Sequence, residues 1–115
     1  MENIDIQIEL QELPQVIWEH GEKYRKANEE YEKQKALYEN EYDKQYLMTK
    51  ASNEDLTVAE VQAEARSKSF ALRMKCIELE SLAKKHKNDV EKYKSALSAY
   101  QSIVKIKVAE MDLSR

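Results

Sequence analysis

The feature that most constrains this chain is an unbroken ladder of residues in its second half. They follow one another in alternating steps of three and four: Ser69, Leu72, Cys76, Leu79, Ala83, His86, Val90, Tyr93, Leu97, Tyr100 and Val104. Such steps keep side chains on one face of a helix, and over this length they are typical of a coiled-coil seam. The ladder predicts a long helix that packs along a second helix.

The composition favours the same fold. The 115 residues include one glycine and one proline, and 36% of them are charged. So few turn-forming residues predict that helix dominates a single domain. There is no apolar run long enough to span a membrane, no visible signal peptide, and only one cysteine. We therefore expect a cytoplasmic protein without a membrane partner.

The N-terminal segment has a different pattern. Apolar and polar side chains alternate over residues 4–10, and most of the apolar ones are β-branched, which is typical of a strand. No second strand is visible, so we predict an extended arm over residues 1–13 that pairs with the same segment of another subunit. A helical alternative stays open through residues at helical spacing: Ile6, Leu10, Leu13 and Ile17.

Two long helices are predicted after the arm. Pro14 suits a first helical turn, where its missing N–H has no partner to lose, so helix 1 is expected over 14–51. One side of it repeats every seven residues: Leu10, Ile17, Tyr24, Tyr31 and Tyr38. Residues 52–57 form the polar turn.

A capping box marks the start of helix 2, because the side chains of Thr57 and Glu60 satisfy free N–H groups there. Helix 2 is expected over 58–112, with a stutter in its seam at the four-residue step from Ala65 to Ser69. The turn is short, so the two helices form an antiparallel hairpin.

The helix lengths predict self-association. Pairing outward from the turn brings Pro14 near Lys94, and the strongly apolar residues past Lys94 then overhang helix 1. They need cover from residues 1–13, from a second subunit, or from both. The predicted fold is all-α: a long antiparallel two-helix coiled-coil hairpin at 14–115, with the extended arm, that dimerises into a four-helix arrangement. The predicted oligomer interface contains Ile4, Ile6, Ile8, Leu97, Tyr100, Ile103, Val104 and Ile106.

The sequence shows no spacing that indicates catalysis or metal binding. His20 and His86 both lack the Glu-x-x-His motif of di-iron bundles. His86 and Cys76 lie in the seam, where packing is the simpler interpretation. A single glycine also excludes a glycine-rich phosphate loop. We therefore predict no enzyme activity, no catalytic, cofactor-binding or metal site, no cofactor and no small-molecule substrate.

Positive charge is concentrated late in the chain. The candidate nucleic-acid contacts are Lys84, Lys85, Lys87, Lys92 and Lys94. This stretch is a better candidate for phosphate contact than helix 1, although a solvated helix face is the simpler interpretation. The tyrosines of helix 1 are interleaved with basic residues, as on single-strand-binding surfaces, but at helical spacing they fit a wide seam better.

Three segments carry a resemblance to a known group: EKYRKA at 22–27, LTVAE at 56–60 and YKSALSAYQS at 93–102. In these segments the chain resembles small helical proteins encoded in the early, recombination-linked gene blocks of Gram-positive tailed phages and prophages. The resemblance implies a coiled-coil accessory protein of phage DNA recombination or replication. Such a protein would bind DNA or a DNA-processing protein in the host cytoplasm. Two alternatives remain, namely an acidic helical inhibitor of a host nuclease or other DNA-handling enzyme, and a purely structural spacer.

Overall fold

The computed structural model describes residues 3–114, with side chains from Ile6 onward. Helix α1 covers Asn3–Ser52, α2 covers Val58–Lys68 and α3 covers Phe70–Leu113. No strand occurs within residues 3–114. The prediction of an all-α fold is therefore confirmed for these residues.

The predicted extended arm is wrong, because residues 4–10 belong to α1. A single strand would leave its backbone N–H and C=O groups without partners, whereas a helix pairs them within the segment. Ile6 and Leu13 are buried, and Leu10 and Ile17 are half-buried. The helical alternative for this segment is therefore correct, and the residues at helical spacing form its covered side.

Pro14 consequently lies inside α1 and not at its start. A proline there cannot donate the hydrogen bond to the carbonyl four residues earlier, and its ring crowds that carbonyl. The pyrrolidine ring is exposed, so it contributes little packing in return.

We expect Pro14→Ala to raise the free energy of unfolding by up to about 3 kcal/mol, because it restores a helical hydrogen bond. Gly21→Ala is the benchmark, since a new methyl group there meets nothing within 4 Å. Gly21→Ala should raise the free energy of unfolding by about 1 kcal/mol through helix propensity alone. Urea unfolding followed by circular dichroism measures both. A destabilised Pro14→Ala variant would contradict the proline's placement within a regular helix.

The turn and the cap agree with the sequence analysis. The Glu60 amide donates to Thr57 Oγ1 at 3.2 Å and the Thr57 amide donates to Glu60 Oε1 at 3.4 Å. This is the predicted capping box. Before it, the Asp55 amide donates to the side-chain oxygen of Asn53 at 3.1 Å, which fixes a tight Asx turn.

The predicted helix 58–112 is interrupted at Ser69, the position of the stutter. The buried Ser69 hydroxyl donates to the Ala65 carbonyl at 2.7 Å. Such a bond competes with the backbone ladder and bends a helix. The ladder nevertheless continues on both sides, since the Ser69 amide bonds Ala65 O and the Arg73 amide bonds Ser69 O, each at 3.1 Å.

The chain packs as two units. The first contains residues up to Arg25 and from Lys84 onward, and the second is Lys26–Ala83. The second unit is a helical hairpin in which the end of α1 returns through the turn into α2 and the start of α3. In the first unit the pairing is also antiparallel, because Ile6 shares a groove with Val108 while the later His20 approaches the earlier Asp89.

Burial follows the predicted ladder. Every one of the seam positions between Ser69 and Val104 is buried or half-buried. Small residues are among the most enclosed, with Ala65 at 0%, Ser69 at 1% and Ala83 at 4% exposure. Small side chains let two helix backbones approach closely, while the half-buried tyrosines of α1 fill the edges of the seam.

Candidate functional site

The lysines singled out by sequence are all exposed on α3. The five side chains at the surface are those of Lys84, Lys85, Lys87, Lys92 and Lys94. At 3.6 residues per turn, Lys85 and Lys92 share one flank, Lys87 and Lys94 share the other, and Lys84 lies between the two flanks. One strand of nucleic acid therefore meets one flank at a time.

The charges of the first unit are segregated between its two segments. Residues 1–25 contain six acids and two bases, whereas residues 84–115 contain four acids and eight bases. The acidic segment of α1 thus lies in the same unit as the basic segment of α3. The opposite charges of the two segments offset each other, so the positive field of α3 is strongest on its exposed surface away from α1.

The predicted oligomer-interface residues divide into two groups. Ile6 is buried, and Leu97, Tyr100 and Val104 are half-buried, so packing within the chain already covers them at least in part. The second group is exposed: Ile8 at 45%, Ile103 at 36% and Ile106 at 59%. The side chain of Ile4 lies outside the described residues.

Other apolar side chains are exposed elsewhere on the chain. Val108 is 51% and Met111 is 58% exposed on α3. In the second unit, Phe70 is 58%, Met74 is 40% and Ile77 is 44% exposed. Phe70, Met74 and Ile77 are spaced so that they share one helix face, and exposed apolar patches commonly mark protein interaction sites.

The structure also assembles a cluster that the sequence analysis missed. His20 Nδ1 lies 4.0 Å from Asp89 Oδ2, and the His20 ring stacks on Tyr93 with centroids 4.9 Å apart. His86 completes the cluster. Its members come from α1 and α3, so no local motif contains them.

Cys76 is buried, as predicted for a seam residue. Burial raises the pKa of its thiol, and the charges of Glu39 and Glu80 raise that pKa further. The thiolate is the nucleophilic form of cysteine, so both effects lower the reactivity of this residue.

We expect iodoacetamide to alkylate Cys76 in the folded protein at least about tenfold more slowly than in the guanidinium-unfolded chain at pH 8.

Folding disfavours the thiolate of Cys76. The contribution of this thiol to the free energy of unfolding is therefore present at neutral pH and is lost as pH rises through its raised pKa. Cys76→Ala should remove that alkaline loss. Equal alkylation rates in the folded and unfolded chains would contradict the burial of Cys76.

Comparison with protein-family models, with curated proteins and with solved structures finds no match to this chain. Among the described residues, no helix combines the length and the apolar character needed to cross a bilayer.

Proposed function

We propose that this protein is a non-enzymatic, dimeric, antiparallel coiled-coil hairpin that binds nucleic acid through α3. In this proposal it serves as a cytoplasmic accessory factor of phage DNA recombination or replication. The exposed lysines of α3 carry the proposal. The assignment to phage recombination rests on the resemblance of the three sequence segments.

The arrangement of α3 supports nucleic-acid binding. One side of α3 packs in the seam. Between residues 84 and 94, five lysines are exposed on the remaining surface of the helix. Only Asp89 and Glu91 oppose them in that segment, and Asp89 faces His20. Lysine side chains at helical spacing bind phosphates without reading base sequence, so the proposed binding is sequence-independent.

The apolar surface supports the dimer. Ile103 and Ile106 remain exposed after α1 has covered the seam side of α3. Two copies that cover these residues would form the four-helix arrangement, which buries more apolar surface than a lone hairpin.

A protein partner is the second candidate. The stripe of Phe70, Met74 and Ile77 is exposed in the second unit. A partner protein commonly binds such an apolar stripe in a hydrophobic groove or against an apolar helix face of its own. The acidic-inhibitor alternative receives less support, since the most acidic segment of α1 shares its unit with the basic segment of α3.

The test is a fluorescence anisotropy titration of labelled single- and double-stranded oligonucleotides at several salt concentrations. We expect binding that weakens with salt, with a log–log slope of about −0.7 for each phosphate contacted on a single strand. No binding at low salt would exclude direct nucleic-acid contact. The stripe at Phe70 would then be the surface to mutate in search of a protein partner.

A further inference from the structure

We propose that His20, His86 and Asp89 form a binding site for one divalent transition-metal ion, with zinc as the best-fitting ion. One possible ligand atom from each of the three side chains lies within 4.8 Å of the other two. All three residues belong to the first unit. A bound ion would join α1 to α3 there.

The ligand set has the right chemistry. Two imidazoles and one carboxylate are ligands that zinc and its first-row neighbours accept, and three protein ligands leave a position for water or an external ligand. His86 and Asp89 are three residues apart on α3, so they share one helix face. His20 supplies the third ligand from α1.

The histidines have unused coordination capacity. The Nδ1 atoms of His20 and His86 are both shielded from solvent and have no hydrogen-bond partner. The Asp89 carboxylate, at 4.0 Å from His20 Nδ1, is too distant for a good hydrogen bond. A buried polar atom without a partner is unfavourable, and coordination of an imidazole lone pair would remove that defect.

The geometry needs a small contraction. Zinc–ligand bonds of about 2.0–2.1 Å in a tetrahedral site place the ligand atoms about 3.3 Å apart. Rotation of the Asp89 and His86 side chains would close the present separations of up to 4.8 Å. Stacking on Tyr93 already restricts the plane of the His20 ring, which lowers the entropy lost on coordination.

The composition makes the site easy to test. The chain contains only these two histidines and one cysteine, and Cys76 is buried in the second unit. Imidazole signals in an NMR spectrum therefore report on this cluster alone.

The experiment titrates zinc into the full-length, chelator-treated protein by calorimetry, with long-range nitrogen–proton NMR of the imidazoles as a second readout. We expect one zinc ion per chain and a concerted change at both histidines. His20→Gln, His86→Gln and Asp89→Asn should each weaken zinc binding at least about tenfold, as expected when one ligand of a small set is lost.

Two variants serve as controls. Glu91→Gln removes an exposed carboxylate from the same helix, and Cys76→Ser removes the thiol; both should leave zinc binding unchanged. The NMR readout uses the unmutated protein, so it stands even if a variant unfolds. Imidazoles that do not respond to zinc, or zinc binding that survives all three ligand substitutions, would overturn the proposal and leave an ordinary His20–Asp89 polar contact.

Discussion

Neutralising four lysines of α3 is expected to reduce nucleic-acid binding strongly and to leave the fold intact. Each single-strand phosphate contact contributes about 0.7 to the salt slope. One strand meets one flank of α3, so two contacts are lost, which flattens the slope by about 1.4 and lowers affinity about 25-fold at 0.1 M salt. The variant replaces Lys85, Lys87, Lys92 and Lys94 with glutamine, and the readout is the anisotropy titration.

A charge-matched control separates local contact from net charge. Lys26, Lys35, Lys44 and Lys50 are exposed on α1 in the second unit, and their replacement by glutamine removes the same four charges. This control should keep most of the affinity. Equal losses in the two variants would show that the protein's overall field, and not the surface of α3, attracts the nucleic acid.

The second large effect concerns self-association. Replacing Ile103 and Ile106 with lysine should raise the dimer dissociation constant at least about a thousandfold, since buried charges without partners cost several kcal/mol. Both side chains are at the surface of the single chain, so the helical circular dichroism signal should be kept. Analytical ultracentrifugation at micromolar concentration measures the change.

The matched control for this variant places two lysines at exposed polar positions of the same helix, Ser95 and Gln101. It adds the same charge without touching the apolar surface, so the dimer should persist. Dissociation in the control as well would attribute the effect to charge repulsion and contradict the apolar interface.

The long-range pattern in the sequence predicted more of the fold than the short-range patterns did. The ladder from Ser69 to Val104 extends over many helical turns, and burial follows it throughout. The alternation at residues 4–10 is short enough to fit a strand or a helix, and Pro14 reads equally well as a first-turn residue. A helix there satisfies its own backbone, which a lone strand does not. The segment therefore joins α1.

That change also weakens part of the original case for a dimer. Once the N-terminal segment is helical, Ile6 reaches the groove beside Val104 and Val108, so the apolar end of α3 no longer overhangs. What remains for a partner is the side of α3 that carries Ile103 and Ile106. The proposed dimer thus depends on a smaller set of residues than the sequence indicated.

The histidine cluster was missed because its members are brought together by helix pairing and not by local spacing. The signal was nevertheless present in the predicted register. Pairing Pro14 with Lys94 places His20 opposite residue 88, between His86 and Asp89. Motif spacing along one segment does not detect such a site, whereas a search across paired helices does.

The most direct test of the account is sedimentation velocity of the unmutated protein, alone and with a labelled single-stranded oligonucleotide at low salt. The account predicts a dimer at micromolar concentration that carries the oligonucleotide with it, and release of the oligonucleotide as salt is raised. A well-folded monomer that leaves the oligonucleotide sedimenting freely would contradict both the self-association and the nucleic-acid binding proposed for α3.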